Sequence, residues 1–165
     1  MTKSSDDGAT VTRLHAVRTS GFDDLYRTEV AGLVRTATLI VGSRPVAEDL
    51  VQDAFVRVHA KWDRIDNPPA YARRAVVNAC RSHLRRRAVE RRHLGTLSVE
   101  VAELEARELL DALAQLPSKQ RAAIVLRFYS GLSERETADA LDCPTGTVGS
   151  LVHRGLATLR TRIER

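Results

Sequence analysis

Between residues 71 and 93 the chain carries eight arginines and one glutamate. A guanidinium is flat, permanently charged and able to donate two parallel hydrogen bonds to a phosphate. Arg73, Arg74, Arg81 and Arg85 at helical spacing therefore suit a polyanion, the plainer alternative being a solvated basic surface. A second charged cluster has the opposite sign. Glu48, Asp49, Gln52 and Asp53 stand at helical spacing, so one helix face collects them into an acidic ridge beside Leu50 and Phe55. Such a ridge either stays solvated or meets an arginine-rich partner helix. A third set, Thr145, Thr147, Ser150, His153 and Arg154, brings hydroxyl, imidazole and guanidinium groups to the start of a helix. From there they can reach bases in a major groove.

Other chemistries find little support. Cys80 and His83 stand three apart with His93 beyond, which is too few ligands on one helix for a zinc site, so no metal is expected. No nucleophile elbow, HExxH run or glycine-rich phosphate loop occurs. The segment Gly146-Thr147-Val148-Gly149 falls inside an expected helix. The chain reads as a non-enzyme with no cofactor.

These groups need helices to hold them. Hydrophobic residues make up 43% of the 165 residues but aromatics only 4%, so a core must come from Leu, Val, Ala and Ile, which favours helix over sheet. Two distant cysteines make no disulfide framework and suit a reducing compartment. No apolar run approaches the ~18 residues of a membrane span, and the N-terminus lacks the order of a signal peptide. A cytoplasmic protein without membrane insertion is the expectation.

Residues 1–20 read as a flexible tail. Apolar residues from Phe22 to Ile40 predict a first helix to about Val41, closed by Gly42. A second covers about 45–61, and the Asp66-Asn67-Pro68-Pro69 segment breaks the chain. The arginine helix follows over about 70–87. After a mixed linker, Leu109 to Leu116 predict a short helix ended by Pro117, and 118–130 another, ended by Gly131. Ser133 with Glu136 is a capping-box pair opening a helix to Leu141. Asp142-Cys143-Pro144 makes a turn. The last helix runs from about Thr145 to Ile163, with Val148, Val152, Leu156, Leu159 and Ile163 as its apolar side. The fold class is all-α: two small helical domains joined by a linker, the second a helix-turn-helix. Ala138 stands where that motif's helices must approach, and Leu141 and Val148 lock them across the turn. From this hairpin alone, a stand-alone DNA-binding regulator remains an alternative.

Two longer patterns narrow the choice. LPSKQRAAIVLRFYSGLSERETADAL followed by CPTGTVGSLVHRGLATLR resembles region 4 of extracytoplasmic-function sigma factors of the sigma-70 family, whose pattern reads GLS…EIA…L…P.GTV.SR..RA…LR. Upstream, FDDLYRTEVAGLVRTATLIVGSRPVAEDLVQDAFVRVHAKWDRI resembles region 2 of the same family, with the hallmark AEDLVQDAF at Ala47 to Phe55. The resemblance implies region 2 over 21–90, a linker over 91–107 and region 4 over 108–165. It implies a subunit that binds RNA polymerase core enzyme and directs promoter-specific initiation. Asp49, Leu50, Gln52, Asp53 and Phe55 would form the contact with the β′ clamp helices, and region 4 would meet the β flap. Arg73, Arg74, Asn78, Arg81 and Arg85 would bind the promoter −10 element. Thr145, Thr147, Ser150, His153 and Arg154 would read the −35 element. The loop from Asp66 to Ala70 stands where the family captures an unstacked base. An anti-sigma factor is a further implied partner, and the working site is the cytoplasm, at the nucleoid when bound to polymerase.

The match has departures. Gly149 and Leu151 stand where the family often carries basic residues, which implies fewer −35 contacts or a different base preference. Asp142 replaces the usual turn glycine, a change tolerated because Asp enters the left-handed region more readily than most residues. Thr137 replaces the usual isoleucine and should loosen packing.

Overall fold

The computed structural model describes the backbone of residues 6–91 and 104–163, and side chains over 21–89 and 107–161. It contains α1 (Asp6–Val41), α2 (Arg44–Ala60), α3 (Pro68–Arg91), α4 (Leu104–Ala114), α5 (Ser118–Ile124), α6 (Glu134–Leu141) and α7 (Thr145–Ile163). Among the described residues there is no strand, and no helix is long and apolar enough to cross a membrane.

The first three helices form a bundle. Leu33, Ala37, Ile40 and Val41 line the inner side of α1. Gly42, at φ 79°, ends that helix in the left-handed region, and its N–H bonds the Thr38 carbonyl at 2.7 Å. In α2, Ala47, Leu50, Val51, Ala54, Phe55 and Val58 are buried, a stripe repeating at three and four residues. Residues Trp62–Arg64 add a single 3₁₀ turn. The prolines after it start α3 rather than merely breaking the chain. A proline in a first turn lacks only an N–H that has no partner there anyway. Asn67 caps this end, its Oδ1 accepting from the Ala70 N–H at 3.1 Å. Ala72, Val76, Val77 and Cys80 carry the buried side of α3.

The second bundle is built on shorter pieces. α5 runs into one π turn over Val125–Tyr129, with the Ser130 N–H bonding the Val125 carbonyl five residues back. The wider turn shifts the helical register. Phe128 and Tyr129 stay 64% and 51% exposed. Gly131, at φ 67°, closes the segment.

Two expectations are corrected. Residues 6–20 are helical rather than a tail: α1 begins at Asp6, because extending a helix already nucleated on a packed bundle costs little where no proline intervenes. The apolar side of α7 is also turned. Val148 and Leu151 are buried, Val152 and Leu159 half-buried, and Leu156 is 39% exposed. The inward line is Val148, Leu151 and Gly155, since Gly155 allows α7 to approach Ile124 of α5. The linker expected over 91–107 falls mostly on 92–103, outside the described residues, as do residues 1–5 and His93.

The two bundles pack together. One apolar core runs from Leu25 through Cys80 to Leu151. α6 lies along α3, and the end of α1 meets α4, α5 and the π turn. Arg121 stitches this junction. It is 9% exposed and donates to the carbonyls of Ile40 at 2.7 Å, Ala114 at 2.9 Å and Leu116 at 3.1 Å. Thr36 and Ser130 share a hydroxyl hydrogen bond of 3.0 Å across the same seam.

Candidate nucleic-acid interface

The helix-turn-helix forms as its residues dictate. Ser133 Oγ accepts from the Glu136 N–H at 3.2 Å, and Glu136 Oε2 accepts from the Ser133 N–H at 2.9 Å and its hydroxyl at 2.8 Å. These bonds, chiefly, hold the Glu136 carboxyl below its ordinary value, with Arg73 a smaller contributor. Asp142 sits at φ 52°, ψ 56°, so the left-handed turn survives without glycine. Ala138, Leu141 and Val148 are all buried between α6 and α7. The proposed readers face outward from the first turns of α7: Thr145, Ser150, His153 and Arg154 are exposed and Thr147 half-buried. Arg154 Nε lies against the Ser150 carbonyl at 3.2 Å. Leu151 belongs to the core, so this position offers a groove nothing, whereas Gly149 is exposed and bare.

The arginine helix is arranged differently from the sequence expectation. Asn78 is half-buried and Arg85 exposed, the latter bonding Ser82 Oγ at 3.1 Å. The other three turn toward α6. Arg74 pairs with Asp142 at 2.6 Å, Arg81 Nη1 donates to the Leu141 carbonyl at 3.0 Å, and Arg73 stands 3.9 Å from Glu136. Burial is the main cause that pulls the Arg81 value down, followed by the neighbouring Arg85 charge.

On α2 the acidic ridge is open. Asp49, Gln52 and Asp53 are exposed, and neither carboxylate has a bonded partner among the described residues. Glu48 is different, held by Arg44 Nε at 2.9 Å. Leu50 and Phe55 are 9% and 3% exposed, so they seat the ridge chiefly from beneath. Sequence reasoning missed what lies next to the ridge. Phe22, Tyr26, Phe55 and His59 meet edge-to-face at centroid distances of 4.8–6.1 Å, and with Gln52 and the 68% exposed Val56 they line a shallow apolar cleft. The i, i+4 spacing of Phe22 and Tyr26 was the available signal. The buried Arg121 was also missed, although it stands in the LPSKQRAAIV stretch that carries the region 4 resemblance.

Cys80 is buried and Cys143 half-buried. No group of three or more metal-binding side chains occurs among the described residues.

The comparisons agree with this layout. Residues 25–90 match the family "Sigma-70 region 2" and residues 106–159 the family "Sigma-70, region 4". An RNA polymerase sigma-E factor from Streptomyces avermitilis is 36% identical over 152 residues, covering 87% of this chain and 85% of the relative. The ECF RNA polymerase sigma factor SigX of Bacillus subtilis is 28% identical, covering 87% and 84%. Among solved structures, the sigma factor RpoE of Bartonella quintana, in complex with the anti-sigma factor NepR, superposes with a TM-score of 0.75 at 28% identity, over 87% of this chain and 97% of that one. CnrH in complex with the cytosolic domain of CnrY follows at 0.70 and 25%, over 90% and 94%. Two regions in family order, on one helical frame, make this protein a member of the extracytoplasmic-function group of sigma-70 family RNA polymerase sigma factors, a non-enzymatic subunit that directs promoter-specific initiation.

Proposed function

We propose that the chain divides its work as follows: residues 21–90 bind core polymerase and the −10 element, and residues 108–165 bind the −35 element. The observation that carries the first assignment is the open ridge of Asp49, Gln52 and Asp53, with an apolar cleft at its side. Uncommitted carboxylates next to exposed apolar surface suit a basic helix of the β′ clamp, giving steering and burial together. Leu50 and Phe55 hold the ridge in place from the core. The second assignment rests on the outward face of α7, where Thr145, Thr147, Ser150, His153 and Arg154 reach bases, and where region 4 also meets the β flap. Arg73, Arg74, Asn78, Arg81 and Arg85 take −10 DNA once α3 is accessible. With roughly six phosphates neutralised, promoter binding by the holoenzyme falls with a log–log salt slope of about −5.

An anti-sigma factor is the expected regulator, because the sigma factor RpoE that superposes on this chain is in complex with such a partner. The protein acts in the cytoplasm and joins the nucleoid through polymerase.

The test is Asp49→Arg with Asp53→Arg. Both positions are exposed, so the double variant keeps its helix content and melting temperature. Its affinity for core polymerase drops by at least tenfold, read by pull-down and titration against labelled core. A folded double variant that binds core as well as the wild type defeats the docking assignment.

A further inference from the structure

The side of α3 that points at nucleic acid in the reading above also points at α6. Three observations converge there. Arg74 meets the Asp142 carboxylate at 2.6 Å, across 68 residues of sequence. Arg81 donates to the carbonyl of Leu141, the last residue of α6, at 3.0 Å. Asp142 itself occupies the left-handed region at φ 52°, where glycine is the unstrained choice.

The chemistry of the pair of contacts is that of a phosphate site. The C-terminus of a helix exposes unpaired carbonyls and carries a partial negative charge. Add one carboxylate, and the end of α6 offers two neighbouring arginines what a DNA backbone offers them: anionic and neutral oxygen acceptors. We propose that the α6 C-terminus with Asp142 is an internal stand-in for the −10 backbone, a latch that keeps α3 closed against the helix-turn-helix until polymerase and promoter separate the two bundles. The inference rests on the assignment of α3 to −10 DNA.

The latch is one part of the closure, since apolar packing of α3, α5 and α6 holds the rest. Arg74 and Asp142 keep 49% and 66% of their side chains in solvent. A pair so exposed shifts an equilibrium by about threefold, not by orders of magnitude. That size suits a contact that must yield to promoter DNA.

The experiment uses the full chain with spin labels at Lys61→Cys on the first bundle and Ala157→Cys on α7, in a Cys143→Ser background. Both labelled positions are exposed. Asp142→Gly and Asp142→Asn are compared with the parent. Both substitutes accept the left-handed turn and both lack the charge, and thermal melts confirm that they fold. Pulsed electron spin distances show one short population in the free parent. A longer population is expected in the complex with core polymerase and promoter. In the free Asp142 variants the longer population grows about threefold, and affinity for a single-stranded −10 oligonucleotide rises by a similar factor. If neither variant changes the distances, the latch is refuted and the assignment of α3 is untouched. If the variants open but oligonucleotide affinity stays constant, the stand-in role is refuted, and the −10 assignment of α3 fails with it.

Discussion

At the scale of single residues, the two cysteines show how burial sets chemistry. Cys80 lies against the α1–α3 core, and burial pushes its thiol up to about 12. The half-buried Cys143 sits in the turn of the helix-turn-helix. A maleimide at neutral pH is therefore expected to modify Cys143 in the native protein and Cys80 only after unfolding, read by mass spectrometry. The raised value has a linkage sign. An unfolded thiol ionises near pH 9, while the folded one stays protonated, so the Cys80 contribution is intact below pH 9 and declines as pH rises toward 12. Cys80→Ala removes that alkaline slope. Equal labelling of both thiols in folded protein contradicts this placement.

Glu136 gives the opposite sign. Its carboxyl is held low chiefly by the Ser133 hydrogen bonds. Its contribution is present above the ordinary carboxylate value of 4.5 and disappears as pH falls through the lower folded value. Ser133→Ala should cost about 1 kcal/mol at pH 7. The loss shrinks as the pH is lowered, because protonation weakens the acceptor side of the same capping box. Urea titrations at both pH values measure it, and a cost independent of pH would show that the box is not coupled to the Glu136 charge.

At the scale of elements, two of the three glycines of α7, Gly149 and Gly155, have opposite surroundings. Added at Gly149, a Cβ meets nothing within 4 Å; at Gly155 it comes within 2.6 Å of Ile124 Cδ1. Gly149→Ala should stabilise the protein by up to about 1 kcal/mol through helix propensity. Gly155→Ala gains the same propensity but crowds Ile124, so the gain is cancelled or reversed. In an Ile124→Val background, which lacks that Cδ1, Gly155→Ala should again be stabilising. Denaturant midpoints of the three variants and the double variant decide this, and identical effects at the two glycines would refute the close approach of α5 and α7. The region 4 pattern carries alanine where this chain has Gly155. The exchange fits the tight helix crossing, and Leu151 in place of a basic residue adds to the same packed line. Both departures favour contact between helices, and the one at Leu151 gives up a basic group for it.

At the scale of the whole molecule, the two bundles share one core, with Arg121 at the seam. A buried guanidinium bonded to three carbonyls contributes well beyond a surface contact. Arg121→Met should cost about 3 kcal/mol, lowering the melting temperature by about 10 °C. The wild type should unfold in one cooperative transition, and loss of Arg121 should separate the bundles into two. Calorimetry reads both outcomes. A wild type that melts in two independent steps would contradict a shared core.

What the residues alone determined is local. The order of the helices, the capping box, the turn at Asp142, the acidic face of α2 and the outward face at the start of α7 follow from periodicity and side-chain chemistry within one or two turns, whereas the starts of α1 and α3 did not. Family membership followed from two patterns in order. Tertiary structure alone decided which side of each surface is free. Three of the arginines that sequence assigns to DNA turn instead to α6, Arg74 and Arg81 to the carboxylate and carbonyl at its end and Arg73 toward Glu136 in its first turn. Leu50 and Phe55 lie under the ridge, and Arg121 closes a seam between segments 81 residues apart. A helical pattern states which residues share a face. The partner of that face depends on contacts between residues far apart in sequence, whose free energy no local spacing encodes.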